Sequence, residues 1–340
     1  MGLDYRVRCC PDGLITDRRR HVGLVDCTIR DGGICNSWQF DEGLVRRTVA
    51  GLRDAGVDVM EIGYQTAAGV VDPATVGPWR FCCEADLRRV AEDKGAMRLS
   101  TMVDVGRIGP DDLRPAADSL IDVIRVACYA HQIDEALQLG HHALRLGYDV
   151  FCNVMAVTSN TPQQVDGFLE KLRQSEIPNV SVVDSFGAMY PHQLRYLLRK
   201  YKNWLRRDQK VGVHLHNNQQ TAFANAIVAI DEGADWVDAS IFGMGRGAGN
   251  VPMELLLMYL DDPEHHVEPI VALADEYTAL RETLRWGYEV PYAISGWLNR
   301  HPRAAIERMR AERPESLDFW GTLTSDRPIP RHHRATQEAE

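Results

Sequence analysis

No stretch of this chain stays apolar for anything near the roughly 20 residues that a membrane span needs. Met1 to Arg20 also lacks the apolar core of a secretory signal. Both absences point to a cytoplasmic protein. Met1-Gly2 opens a myristoylation pattern, but Arg6 stands where serine or threonine is wanted. Basic charge is in short supply, with 38 lysines and arginines against 48 aspartates and glutamates, a net charge of −10. That balance argues against nucleic-acid binding and against anionic membrane surfaces. C-x-x-C is missing among the eight cysteines, and two pairs, Cys9-Cys10 and Cys82-Cys83, are vicinal. Neither a disulfide framework nor a zinc knuckle suits such spacing. Several thiols fall in apolar strand-like runs, which reads as buried free cysteine in a reducing compartment. Cys27 and Cys35 are left as candidates for a catalytic thiol. Low-complexity tracts and internal repeats are absent as well.

What is present is an alternation. Hydrophobic residues make up 45% of the 340 and charged residues 25%, ordinary for a globular protein with a sizeable core. Strand-like runs at Val22–Asp31, Val57–Tyr64, Arg98–Val105, Ile121–Ala130, Asp149–Thr158, Val180–Asp184, Val211–His216 and Trp236–Phe242 are separated by helix-period segments. Among these segments Pro110–Asp118 reads as a short helix, and Pro162 opens another as a first-turn proline. About eight β-α units in this length give an α/β protein, a (β/α)8 TIM barrel, with an open doubly wound sheet as the competing architecture. The barrel is expected over 21–262, after a leader at 1–20. A C-terminal helical appendage follows over 263–324, read as two helices split near Gly287 to Pro291, and a mobile polar tail over 325–340.

In such a barrel the chemistry lies at the C-terminal strand ends. Val211-Gly212-Val213-His214-Leu215-His216 alternates with the period of a strand, so both imidazoles share a face near the strand's end. The first strand runs into Arg30-Asp31-Gly32-Gly33. Asp31, His214 and His216 together offer one carboxylate and two imidazoles, a mixed set that suits Mn²⁺, Mg²⁺, Co²⁺, Fe²⁺ or Zn²⁺ with positions left open. A 2-oxo acid can chelate such an ion through its keto and carboxylate oxygens. Its enolate is then stabilised by the metal and by Arg30, the logic of aldol cleavage and of Claisen-type condensation.

Other polar residues at the strand ends have plainer readings beside the functional ones. Glu61 is either a catalytic or substrate-contacting acid or a buried partner of Arg30. Asp184 and Ser185 are either substrate-binding or turn residues. Arg246, in a glycine loop, either binds a substrate carboxylate or phosphate or forms a surface ion pair. Asn250 is either near the metal as a ligand or the N-cap of the next helix. Tyr129 and His131 sit at the fourth strand's mouth, where His131 can serve as general acid/base or merely cap its helix. Gly243-x-Gly245-x-x-Ala248 formally matches a dinucleotide fingerprint, but no parallel strand follows to complete the unit.

Four separated motifs then carry a resemblance: Asp26-x-Thr28-Ile29-Arg30-Asp31-Gly32, Glu61-Ile62-Gly63, His214-x-His216-Asn217 and Gly243-x-Gly245-x-x-Ala248-Gly249-Asn250. In this order they resemble the DRE-TIM metallolyase superfamily, and within it the 4-hydroxy-2-oxovalerate aldolases most of all. The resemblance implies a divalent metal, manganese or magnesium first, held by Asp31, His214 and His216 with Asn250 nearby. It makes Arg30 the enolate-stabilising arginine and Glu61 an acid that positions it or the substrate. The implied reaction makes or cleaves a C–C bond between a pyruvate-like 2-oxo acid and an aldehyde. A homo-oligomer and an aldehyde dehydrogenase partner are implied with it.

The departures are equally specific. Those aldolases carry a catalytic histidine three residues after the metal aspartate, where this chain has Ile34; their C-terminal tyrosine falls near Ser295, with Tyr292 close by. Gly247 replaces the loop cysteine of the acyl-CoA lyases, and the loop glutamate of isopropylmalate synthases is missing. An acyl-CoA-dependent Claisen-type synthase on the same scaffold is therefore the alternative, and a non-enzymatic barrel docking partners through its aromatic appendage is the third reading.

Overall fold

Strands and helices follow one another in the order their sequence periods set. A computed structural model describes residues 22–261 and 263–310. The expected leader and tail, and the end of the appendage, lie outside the described residues. The order is β1 (Gly23–Asp26), α1 (Thr28–Asn36), α2 (Glu42–Asp54), β2 (Val59–Tyr64), α3 (Glu84–Ala91), β3 (Arg98–Asp104), β4 (Val123–Cys128), α4 (Ile133–Arg145), β5 (Asp149–Val154) and α5 (Pro162–Gln174). Then come β6 (Asn179–Asp184), α6 (Pro191–Trp204), β7 (Lys210–Leu215), α7 (Ala222–Asp231), β8 (Trp236–Ala239) and α8 (Met253–Leu260). The helices α9 (Glu268–Val271), α10 (Ala274–Leu284), α11 (Val290–Trp297) and α12 (Arg303–Arg310) complete the described chain.

The eight strands close into a barrel in sequence order. Every neighbour is parallel, and β8 returns to β1 with Gly23 opposite Trp236 and Asp26 opposite Ala239. Helix starts are set locally. Asp41 accepts the Leu44 amide at 2.9 Å, and Thr161 forms a capping box with Gln164 before Pro162 at the first turn of α5. No helix among the described residues is long and apolar enough to cross a membrane.

Several segments depart from expectation; β5 and β8 end at Val154 and Ala239, short of Thr158 and Phe242. The first strand stops at Asp26 rather than Asp31, because the Asp26 carboxylate accepts the Thr28 amide at 3.1 Å and its hydroxyl, turning the chain into α1. Gly33 lies in this helix against Trp38, whose ring would meet a Cβ there at 2.0 Å. The segment 110–118 forms two single-turn 3₁₀ helices, Pro110–Asp112 and Ala116–Asp118, because Pro115 separates them and cannot continue a helix. The region after the barrel holds four helices among the described residues, not two. The break at Gly287 (φ 127°) is there, but a left-handed Asn299 (φ 52°) splits α11 from α12, and Ala272 and Leu273 separate α9 from α10.

The barrel interior is layered by the period of two along each strand. Val25, Val59, Val123, Phe151 and Trp236 form a buried apolar plug at the N-terminal end. Two residues further along these strands come Glu61, Arg125, Asn153 and Asp238, all buried polar groups. Above them Tyr64, Met102 and Ala127 form a second apolar cluster with Trp38 and Met155. Charge is thus sandwiched between two apolar layers. Phe151→Ala, which opens a cavity in the plug, is expected to lower unfolding stability by about 3–5 kcal/mol, read from the urea midpoint at unchanged m-value.

Candidate metal centre

Asp31 stands in the first turn of α1, and His214 and His216 alternate at the end of β7. One ligating atom from each lies within 4.8 Å of the others, and all three residues are buried. Their remaining atoms are held from behind. His214 Nδ1 lies 2.8 Å from Asp238 Oδ2, and His216 Nδ1 lies 3.2 Å from the Gly249 carbonyl. An imidazole that donates through Nδ1 keeps its lone pair on Nε2, the tautomer a metal ligand needs. Asp31 Oδ1 accepts from Arg30 Nη1 at 2.8 Å, and Oδ2 accepts from Asn250 Nδ2 at 2.7 Å. The glycine loop after β8 makes this possible, since a Cβ on Gly245 would sit 2.3 Å from Asn250 Nδ2 and 2.5 Å from Asp31 Oδ2.

A chain of alternating charge runs beneath the site. Arg30 Nε donates to Glu61 Oε2 at 2.6 Å. Arg125 places Nη1 3.2 Å from the same oxygen, and Nη2 donates to Asp238 Oδ2 at 2.6 Å. Asp238 in turn holds His214, so the chain starts at one cluster ligand and ends at another. Burial pushes the Asp31 carboxyl upward, but Arg30, His216 and His214 outweigh it and hold it well below the usual carboxylate range. Burial lowers His216 to about 3 against the opposing pull of Asp31. A charged carboxylate beside a neutral imidazole is the state in which both can ligate.

Several buried polar atoms at this place have no hydrogen-bond partner, among them Asn250 Oδ1, Arg30 Nη2, Glu61 Oε1 and Arg246 Nε. One carboxylate, two imidazoles and a free amide oxygen fit a divalent cation of borderline hardness, leaving Arg30 Nη2 as a donor beside it.

The other candidates are placed as follows. Glu61 is fully buried between Arg30 and Arg125. Asp184 accepts the Ala188 and Met189 amides at 3.0 and 2.9 Å, which shapes the turn into α6; burial raises it to about 6. Ser185 Oγ accepts the Ala156 amide at 2.8 Å. Arg246 directs its backbone amide at Asp31 Oδ2 (3.3 Å) and donates through Nη2 to the Ser185 carbonyl at 2.6 Å. Tyr129 and His131 stand exposed on the rim with their rings stacked at 5.9 Å. Cys27 and Cys35 are not thiolates: burial drives the first thiol up, and the second to about 12. Ser295, at the position of the absent tyrosine, donates to the Tyr292 carbonyl at 2.7 Å.

The structure adds Arg125, Asp238 and His301 to the residues found by sequence. Arg125 had a signal, a charge inside the apolar run Val123-Ile124-Arg125-Val126, which demands buried partners. His301 lies between α11 and α12, and its ring Nε2 is 3.1 Å from Arg246 Nη1. A separate apolar cleft of about 630 Å³ lies outside the barrel between α5, α6 and α11, and holds no part of the cluster. Asp238→Asn is expected to lower Mn²⁺ affinity by roughly 10–100-fold through the loosened His214 ring, measured by calorimetric titration; affinity equal to that of the unaltered protein would remove Asp238 from this role.

Comparison with known proteins agrees with this geometry. The HMGL-like family model matches residues 21–279. The chain is 32% identical over 246 residues to 4-hydroxy-2-oxovalerate aldolase 6 of Rhodococcus jostii, covering 72% of this chain and 68% of that protein. It is 29% identical over 288 residues to the oxaloacetate decarboxylase of Mycobacterium tuberculosis, covering 84% and 82%. Among solved structures, the N-terminal domain of a Bacteroides vulgatus protein described as a candidate aldolase superposes with a TM-score of 0.77 at 30% identity, over 85% of this chain and 96% of that one. The HMG-CoA lyase of Brucella melitensis shares the fold, with a TM-score of 0.63 at 21% identity over 77% of this chain and 99% of that one. Barrel, motifs and matched span agree, and the chain belongs to the HMGL-like family of DRE-TIM metallolyases.

Proposed function

We propose that this protein is a divalent-metal-dependent aldolase that cleaves or forms 4-hydroxy-2-oxo acids, with a pyruvate-like 2-oxo acid and an aldehyde as the two fragments. The observation that carries the reading is Arg30. Glu61 and Asp31 fix its guanidinium, and its Nη2 is left unpartnered beside the three-ligand cluster. A donor aimed where negative charge develops is what an enolate-forming reaction requires.

A divalent cation, Mn²⁺ or Mg²⁺, held by Asp31, His214 and His216 would act as Lewis acid toward the keto oxygen. Asn250 Oδ1 is a fourth ligand atom available to it. The protein's own part follows from the placement of its groups. Arg30 Nη2 donates to the keto oxygen as the C3–C4 bond breaks and the electron pair moves onto the 2-oxo acid fragment. A base takes the 4-hydroxyl proton, the aldehyde leaves, and C3 is then protonated. Arg246, Ser185 and Asp184 line the side where a substrate carboxylate would lie; of these, Arg246 supplies the charge, and Asp184 and Ser185 shape the loop that orients it. Tyr129 and His131, exposed on the rim, are open to an incoming substrate. Tyr64, Met102 and Ala127, with Trp38 and Met155, present an apolar wall, which suits an aldehyde bulkier than acetaldehyde. Exposed Tyr288, Val290 and Trp297 give the appendage a surface for a second copy or for an aldehyde dehydrogenase partner.

Oxaloacetate decarboxylation is the second reading, favoured by the relative of that name that covers 84% of this chain. It passes through the same enolate, but carbon dioxide leaves and no hydroxyl proton is removed. Purified protein with Mn²⁺ is expected to release pyruvate from a panel of 4-hydroxy-2-oxo acids. Arg30→Met is expected to reduce kcat by about 10²–10³-fold. A panel that yields no pyruvate from the Mn²⁺-bound protein, while oxaloacetate does, would transfer the assignment to the decarboxylase.

A further inference from the structure

Position 34, where related aldolases carry a histidine, is isoleucine, and Ile34 has no proton to move. Aldol cleavage still needs a group to accept the 4-hydroxyl proton. Asp31 and Glu61 are committed to guanidinium groups, and the carboxylate oxygens of Asp184 are committed to backbone amides. Cys35 is a neutral buried thiol. Tyr129 and His131 stack on each other on the exposed rim, whereas the appendage holds one more titratable group, His301, against Arg246.

His301 is fixed on several sides. Phe186, in the loop after β6, packs edge-on to its ring with centroids 6.0 Å apart. Asn299 anchors the same segment to the loop after β5, donating to the Thr158 carbonyl at 2.8 Å and accepting from the Thr158 hydroxyl at 2.6 Å. Its two ring nitrogens both face donors. Arg246 Nη1 lies 3.1 Å from Nε2, and the Arg303 amide nitrogen lies 3.0 Å from Nδ1. A neutral imidazole has one lone pair, so it can accept from only one of them, while an imidazolium would set N–H against N–H at both. The guanidinium is the stronger donor, which assigns the lone pair to Nε2.

We propose that His301 is the general base of the aldol reaction, held in reserve by Arg246 and released when Arg246 turns to a substrate carboxylate. The proposal rests on the aldolase reading above. In cleavage, Nε2 takes the 4-hydroxyl proton as the C3–C4 bond breaks; the imidazolium then returns a proton to C3, and the ring ends as it began. Arg246 is suited to the exchange. It is the side chain whose backbone amide touches Asp31 and whose Nε is buried without a partner, so a carboxylate arriving at the cluster offers it a better acceptor than an imidazole does. The charged groups that face His301 are Arg246 from the loop after β8 and Arg303 from α12. Partial burial, then these two, lower the ring to about 4, and redirecting one of them returns it toward its ordinary value.

Two measurements test this on the full chain. The first is ¹⁵N NMR of the histidine rings in Mg²⁺-loaded protein, with the His301 signal identified by its loss in His301→Ala. The expected result is an unprotonated Nε2 that titrates below pH ~5 in the unliganded state, and a rise of about one unit or more with oxalate bound or in Arg246→Met, set against an ordinary value near 6.5. Titration at the ordinary value, unmoved by either change, overturns the proposal. The second is kinetics: His301→Ala is expected to lower kcat for 4-hydroxy-2-oxo acid cleavage by about 10²–10⁴-fold with KM little changed, and added imidazole to restore part of it. A purely structural role predicts instead a matched fall in thermal stability and no imidazole rescue. Should the unaltered protein cleave no such acid while the NMR response appears, the aldolase reading fails and the Arg246-controlled acceptor at His301 stands. Cleavage that survives His301→Ala overturns His301 as base and leaves the aldolase reading intact.

Discussion

The structure depends on one buried run of alternating charge, Asp31 to Arg30 to Glu61 to Arg125 to Asp238 to His214. Taking so many charges out of water is costly, and such a chain persists only when every member has its opposite beside it. Four strands and one helix must therefore meet in a single register. A slip of one residue along β4 would turn Arg125 from the barrel interior toward the helices and leave Glu61 and Asp238 facing each other without it. The apolar plug below and the apolar wall above exclude water from the layer and strengthen each pairing within it. Stability and function have the same source here, since the groups that satisfy the chain are those that aim Arg30 and orient the His214 ring.

Much of this was legible in the order of residues, and the legible parts share a cause. The two-residue period of β7 fixes His214 and His216 on one face whatever surrounds them, and the strand-helix alternation leaves few architectures for eight units. Glu61 as the buried partner of Arg30 was one of two readings, and the structure pairs them at 2.6 Å. What stayed hidden depends on contacts between distant segments. Asp31 belongs to a helix because Asp26 captures Thr28, a local competition that a run of apolar residues does not reveal. Asp238 is an unremarkable strand acid until β8 closes against β1 and brings it to Arg125 and His214. His301 had no signal at all, since its importance comes only from where α11 and α12 set it down.

The loop after β8 shows how backbone and side chains divide the work. Gly247 and Gly249 take left-handed conformations, with φ of 61° and 82°. Their turns carry the Gly249 carbonyl to the His216 ring and the Arg246 amide to Asp31. Three of the cluster's supporting hydrogen bonds thus come from one loop, counting that of Asn250. The same loop carries Arg246 outward to the Ser185 carbonyl and the appendage. A change in where α11 and α12 dock would reach the Asp31–His214–His216 cluster through only a few bonds.

That connection bears on what distinguishes the two reactions open to the site. On the proposed reading decarboxylation and aldol cleavage would both draw on Arg30 and the cluster, because both leave the same enolate. They differ at the atom attached to C3. A carboxylate departs already ionised, whereas a hydroxyl carbon departs as an aldehyde only once its proton has somewhere to go. A barrel that keeps the enolate machinery but loses the histidine at position 34 is left suited to the first reaction, unless another base enters. The match to the HMGL-like family model ends at residue 279, before α11 and α12, and on the proposed reading the base that would decide between the two reactions sits between those helices. On the proposed reading the enolate chemistry would belong to the barrel, and the choice of leaving group to the segment that holds His301 against Arg246.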